Sequence, residues 1–190
     1  MADEASVIGA IERAEAVNGV ARVIVNCAGV DTPAKAIGRD GLLPLEAFAR
    51  IININLVGTF NVIRLAVARL QNVPAFEGER GVVINTASVA AFDGQIGQPA
   101  YAASKAGVVG LTLPLAREFA RFGVRVMTIA PSVFEPPLVS GELSEQLQAA
   151  LAAAIPFPSR LGKPAEFAKL AMANIDTPFL NGETIRLDGA

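Results

Sequence analysis

The sequence predicts an α/β fold in which a parallel sheet lies between layers of helices. Three observations predict it. Four short runs rich in β-branched residues recur along the chain: "RVIVN" (22–26), "GVVINTAS" (81–88), "VRVMTIAP" (124–131) and "ETIRLDGA" (183–190). Segments of helical periodicity fill the stretches between them. Strands that alternate with helices are joined by crossovers, and crossovers leave neighbouring strands parallel.

Each element follows in chain order. Residues 3–18 read as an amphipathic helix, with Val7, Ile8, Ile11 and Ala14 at helical spacing and Asp3 and Glu4 at the end where the dipole favours negative charge. The run at 22–26 reads as a buried strand, and the "CAG" after it as a turn. Residues 44–70 carry a long helical pattern that Pro44 can open. After the strand at 81–88, residues 99–122 are again helical, with Pro99 at the start and Pro114 expected to bend or end the helix. The strand at 124–131 precedes two helices, 143–154 and 164–174, the second opened by Pro164. The run at 149–154, "AALAAA", suits a helix rather than a linker, and the strand at 183–190 closes the chain. No internal repeat or linker divides residues 1–190, so a single domain is expected.

Composition narrows the function. Hydrophobic residues make up 52% and charged residues 18%, and the mean hydropathy is +0.45, which suits a buried core. Sixteen basic residues against 18 acidic leave a net charge of −2, so there is no electrostatic footprint for nucleic acid or an anionic membrane. A single cysteine excludes an internal disulfide, and with no histidine a His/Cys metal site is not expected. The mixed, acidic start "MADEASVIGAIERAEAVNGV" is neither a secretory signal nor a transit peptide, and no run of 18 apolar residues suggests a membrane span. A soluble cytoplasmic domain is the expectation.

The strand ends carry the chemistry. In open sheets of this type ligands bind beyond the carboxyl ends of the strands. Those ends are Asn26-Cys27-Ala28-Gly29, Thr86-Ala87-Ser88 and Ala130-Pro131-Ser132. Tyr101, the only tyrosine, opens the helix after Ser88, and Lys105 lies one turn on along the same face. A phenol ionises near ~10, too high for a base at neutral pH. A nearby ammonium and the positive end of the helix dipole would both favour the phenolate. Ser88 could hold a carbonyl or alcohol oxygen while Tyr101 exchanges a proton with it. That suits hydride transfer at a C–O centre, with a cofactor carrying the hydride.

Ser88, thirteen residues before Tyr101, the Asn-x-Ala-Gly turn at 26–29 and Asn55 within "NLVG" together resemble the short-chain dehydrogenase/reductase family. The segments "GTFNVIRLA", "GVVINTASVAAFDGQIGQPAYAASKAG", "RVMTIAP", "PFPSRLGKPAEFA" and "FLNGETIRLDGA" extend the likeness over nearly the whole chain, toward the family's 3-hydroxyacyl-CoA dehydrogenase branch. The resemblance implies a Rossmann-like parallel sheet with helices on both faces. It makes Tyr101 the acid–base, Lys105 the group that lowers the tyrosine pKa and holds the nicotinamide ribose, Ser88 the holder of the substrate oxygen, and Asn55 the anchor of a water relay. Asn26, Cys27, Ala28, Gly29, Pro131, Ser132 and Phe134 fall where the family contacts its cofactor. Gln98 becomes a substrate contact beside Ser88 and Tyr101, or a helix cap at Pro99. NAD is the implied cofactor, with NADP not excluded, and the implied substrate is an acyl-CoA or related secondary alcohol or ketone. Homo-oligomers, dimers or tetramers, would form through the helices at 44–70 and 99–122, where Ala102, Ala103, Ala106, Gly107 and Gly110 permit close approach.

The family's usual start is absent. None of the 17 glycines forms the TGxxxGxG turn that binds a dinucleotide pyrophosphate. The chain reads as an N-terminally truncated form that keeps the last four of the usual seven strands and lacks about 60 residues, two βα units and a strand. The edge of "RVIVN" would then be open. Pro131-Ser132 stands where the family has Pro-Gly, and Pro136 where it often has threonine. Cys27 is expected to be small and buried, and Ser132 and Phe134 to pack the loop as well as face the cofactor. Two further readings stand beside the NAD-dependent dehydrogenase: an NADPH-dependent 3-oxoacyl reductase of the same superfamily, and a non-catalytic form that only assembles with other subunits.

Overall fold

The computed structural model of the chain describes residues 1–39, 41–135 and 144–190. Helix α1 (Glu4–Asn18) starts where the Asp3 carboxylate accepts the Ser6 amide at 2.7 Å. Strand β1 (Val23–Asn26) follows, then a hairpin of two-residue strands, β2 (Ile37–Gly38) and β3 (Gly41–Leu42). Helix α2 (Leu45–Ile52) widens into a π-helical turn at Asn53–Val57 and continues as α3 (Gly58–Leu70). Strand β4 (Gly81–Thr86), helix α4 (Pro99–Phe119), strand β5 (Val124–Pro131), helices α5 (Glu145–Ala153) and α6 (Pro164–Asp176), and strand β6 (Thr184–Leu187) complete the chain. The reading of Pro136, and of a helix already begun at 143, falls outside the described residues.

The main sheet has the order β1-β4-β5-β6, with every pair parallel. Its pleat sends alternate residues to two helical layers. Ile24, Val83, Val124 and Val126 face α3 and α4, meeting Ile63, Val67, Leu70, Leu115, Ala116 and Phe119. Val82, Ile84 and Ile129 face α6, meeting Phe167, Leu170 and Ala171. Residues 44–70 are thus a core helix. By length and composition alone, with a mean hydropathy of 1.6, Leu45–Leu70 could cross a membrane.

The structure corrects three expectations. First, β1 is only half buried: Ile24 and Asn26 point inward, but Val23 and Val25 are 42% and 45% exposed. The strand lies at the sheet edge, and among the described residues no helix covers its second face. Second, Pro114 does not end α4, which runs on to Phe119. The carbonyl that the proline leaves unpaired belongs to Gly110, which is exposed and open to solvent. Third, Gly107 serves contact within the chain: a Cβ there would lie 2.6 Å from Leu56 in the π turn, so α4 packs directly on that turn.

One buried charge ties the layers together. Arg125 on β5 pairs with Glu79 at 2.8 Å and donates to the carbonyls of Asn174 and Ile175 in the last turn of α6 and of Leu180 in the segment after it. Those carbonyls would otherwise be orphaned where a helix ends inside the molecule.

Candidate active site

The carboxyl ends of β1, β4 and β5 share one rim of the sheet, as the parallel order requires. Asn26 closes β1 by donating to Asn85 Oδ1 on β4 at 2.9 Å. The turn Cys27-Ala28-Gly29 that follows is exposed, and this includes Cys27, which was expected to be buried. The thiol lies beyond the strand end, where Thr86 Oγ1 donates to its sulfur at 3.4 Å. On β4 the chain continues to Ser88, whose hydroxyl accepts the Ala90 amide at 3.1 Å and caps a short 3₁₀ turn.

Tyr101 sits in the first turn of α4 and Lys105 in the next. The lysine Nζ lies 5.7 Å from the centre of the tyrosine ring and donates to the Thr86 carbonyl at 2.8 Å. Lys105 is buried, and this desolvation brings its pKa down to about 8, against a smaller opposing pull from Cys27. Tyr101 moves the other way from the sequence expectation. Burial pushes the phenol above its ordinary value, the hydrogen bond with Ser88 works against that, and the Asp31 charge adds to it. In the chain by itself, desolvation of the ring outweighs the help from the Ser88 hydrogen bond.

Asn55 owes its position to the π turn, a local widening that re-aims side chains. Its amide is fully engaged: Oδ1 accepts from the Val30 amide at 2.8 Å, and Nδ2 donates to the Val30 carbonyl at 2.8 Å and to Ser104 Oγ at 3.0 Å. Ser104 in turn donates to the Tyr101 carbonyl at 2.7 Å. Asn55 therefore clamps the turn after β1 to the helix that carries Tyr101. The sequence reading missed Ser104 and Asp31, and it placed Thr86 at a strand end without a role. Ser104 stands inside "YAASK" itself, but a serine in a helix gives no signal of its partner, and Thr86 acts through its backbone carbonyl.

Gly29 faces both Asn55 and Lys105. A Cβ at this position would lie 3.3 Å from Asn55 Oδ1 and 3.5 Å from Lys105 Nζ. The missing side chain lets the exposed turn approach Asn55 and Lys105 closely. Phe134 is committed elsewhere: its ring packs edge-on to Phe167, at 6.4 Å between centres, and against Gly162. Ser132, just past Pro131, donates its amide to the Leu187 carbonyl at 3.1 Å. Gln98 makes no capping bond at Pro99. Its Nε2 donates to Asp31 Oδ2 at 2.9 Å. Gln98, Asp31 and Tyr101 all line a cavity of about 240 Å³ between α2 and the start of α4.

The short chain dehydrogenase family model matches residues 1–147. The chain belongs to that family. It is 54% identical over 171 residues to bovine (Bos taurus) 3-hydroxyacyl-CoA dehydrogenase type-2, a match covering 88% of this chain and 65% of that protein. The enzyme of the same name from Drosophila melanogaster is 50% identical over 190 residues, covering 98% and 74%. The crystal structure of 3-hydroxyacyl-CoA dehydrogenase type-2 from Mycobacterium avium superposes with a TM-score of 0.89 at 43% identity, over all of this chain and 73% of that one. The chain thus spans about two thirds of the length of its mammalian relatives.

Proposed function

We propose that this chain carries the acid–base half of a nicotinamide-dependent oxidoreductase that interconverts 3-hydroxyacyl and 3-oxoacyl thioesters, with NAD as the cofactor. The observation that carries the reading is the grouping of Tyr101, Lys105 and Ser88 on the rim that also presents the exposed turn at 27–29. The names of the relatives support the substrate class and the family supports the cofactor class.

The residues fit one end of the cofactor. Lys105, the buried Asn26 and the exposed turn at 27–29 would hold the nicotinamide riboside. When bound, the cofactor supplies or removes a hydride at the substrate C3. Ser88 donates to the C3 oxygen and fixes it beside the phenol. In the reductive direction the carbonyl oxygen takes the Tyr101 proton as the carbon becomes tetrahedral; in the oxidative direction the phenolate removes the hydroxyl proton. The overall balance in reduction is thioester ketone plus NADH plus a proton, giving thioester alcohol plus NAD. A phenol held above its ordinary pKa stays protonated at neutral pH, so the free chain is poised for reduction. Lys105, with its pKa near 8, keeps its positive charge up to that pH.

Assembly into dimers or tetramers belongs to the same proposal. Val57, Phe60 and Leu113 leave 45%, 40% and 43% of their surface exposed on the π turn, α3 and α4, the helices expected to meet a second copy.

Acetoacetyl-CoA reduction followed by NADH absorbance tests the function, with NADPH as the parallel cofactor. Turnover that favours NADH at least tenfold supports the reading in full. Equal or better use of NADPH would overturn the choice of NAD, and no turnover with either cofactor would overturn the substrate class.

A further inference from the structure

The proton exchange described above makes no use of one buried hydroxyl behind the site. Thr59, the second residue of α3, is only 4% exposed. Its Oγ1 donates to the Asn55 carbonyl, four residues back, at 2.7 Å. That carbonyl lies in the π turn, where the backbone spacing is already longer: the Gly58 amide reaches back five residues to the Asn53 carbonyl. A threonine hydroxyl that takes the carbonyl four residues earlier bends a helix at that point. The bond therefore acts on the residue whose side chain clamps the site. Leu56, the next residue of the turn, lies against Gly107 of α4, so a shift of the turn also disturbs α4.

We propose that Thr59 is a positioning residue for this site: its hydroxyl holds the π turn in the shape that aims Asn55 at Val30 and Ser104. The catalytic consequence rests on the oxidoreductase reading above; the geometry does not. A π turn holds more residues than an α turn, and each residue of an α-helix turns the chain by about 100°. A turn that relaxes toward α geometry therefore carries the Asn55 amide off its partners. Those partners are the Val30 amide, the Val30 carbonyl and Ser104, which donates to the Tyr101 carbonyl. Gly29, beside Val30, approaches both Asn55 and Lys105. One hydroxyl remote from the reacting oxygen thus sets the turn at 27–29 and the start of α4. Thr112 supplies a contrast. It makes the same kind of bond, to the Val108 carbonyl at 3.1 Å, but inside α4 and against Thr128 on β5.

The Val30 amide reports the clamp, since Asn55 Oδ1 is its partner. The Val83 amide, buried in the middle of β4, reports the fold as a whole. Hydrogen exchange at both is followed by NMR in the 190-residue chain and in Thr59→Val, Thr59→Ser and Thr112→Val. Thr59→Val keeps the shape and removes the hydroxyl. It is expected to speed exchange at Val30 relative to Val83 by about fivefold or more, the weight of one hydrogen bond. Thr59→Ser should restore the original ratio, and Thr112→Val should leave it unchanged. Equal acceleration at Val30 and Val83 in Thr59→Val would overturn the proposal, since the hydroxyl would then serve only overall stability. So would a ratio that Thr59→Ser does not restore, or an equal effect from Thr112→Val. Thr59→Cys keeps a weak donor and covers the case in which Thr59→Val does not fold. It should raise the ratio by a smaller factor, and a ratio equal to that of the parent chain contradicts the proposal.

Turnover separates this proposal from the function beneath it. With acetoacetyl-CoA as substrate, Thr59→Val should raise the KM for NADH by about fivefold or more, because the turn at 27–29 is displaced, and Thr59→Ser should return it. A parent chain that reduces the thioester, beside a Thr59→Val variant with an unchanged KM, contradicts the positioning role and leaves the oxidoreductase reading standing. A chain that shows the expected exchange pattern but reduces no thioester supports the hold of Thr59 on Asn55 and contradicts the oxidoreductase reading.

Discussion

Tyr101 and Lys105 lie one turn apart, and burial moves both away from their usual ionisation in the direction that favours neutrality. The phenol can be followed directly, since it is the chain's only tyrosine. Its absorbance titration should have a midpoint above 10, the ordinary value, and Asp31→Asn should lower that midpoint while keeping the Gln98 hydrogen bond. An unchanged midpoint would show that the Asp31 charge does not reach the ring. Lys105 makes a stability statement as well. Its pKa is near 8 in the fold and near 10.5 when exposed, so between those values the unfolded chain binds more protons and stability rises with pH. Removing the amine should erase that rise. Lys105→Met is expected to gain roughly 1–2 kcal/mol at pH 7, as relief from burying a charge exceeds the lost bond to Thr86, while abolishing activity. Urea melts at pH 7 and pH 10 check it, and a variant less stable at pH 7 contradicts it. The spacing of Ser88, Tyr101 and Lys105 was legible in the sequence because it is local. The Asp31 charge was not, because 70 residues separate it from the tyrosine and only the fold brings them to one cavity.

The strands of the main sheet were legible as elements because buried parallel strands read as unbroken β-branched runs, as in Val82, Val83 and Ile84. The hairpin at Ile37–Leu42 was not: two-residue strands with exposed side chains leave no periodicity to find. Nor was the π turn at Asn53–Val57, since one extra residue per turn changes no residue type. Yet that turn aims Asn55 at Val30 and Ser104. Ser104→Ala should therefore loosen the clamp and cost about 1–2 kcal/mol by leaving an Asn55 donor unsatisfied inside the protein. At the far end of the sheet, Arg125→Met should cost roughly 3–5 kcal/mol, because the carbonyls that end α6 lose their donor and Glu79 its partner. Thermal melts of the two variants should rank Arg125→Met as the more damaging, and the reverse ranking would place the weight of the fold on the Asn55 clamp instead.

At the scale of the molecule, the parallel order β1-β4-β5-β6 brings the chemistry to one rim; alternation of strand and helix made the parallel arrangement legible, but not the order of the strands. The expected burial of β1 failed for a reason of the same scale. Burial is a property of what covers a strand, and the face of β1 that carries Val23 and Val25 is bare. Exposed apolar residues on α3 and α4 set a further expectation: Phe60→Glu should lower the assembly state seen by sedimentation, and an unchanged state would remove these helices from the interface. The most direct test of the central claim compares the chain with Tyr101→Phe for NADH-dependent reduction of acetoacetyl-CoA at millimolar NADH. A rate that falls by about a thousandfold or more in the variant, in the range expected for loss of a general acid, is the predicted result. Turnover that survives the loss of the phenol would contradict it.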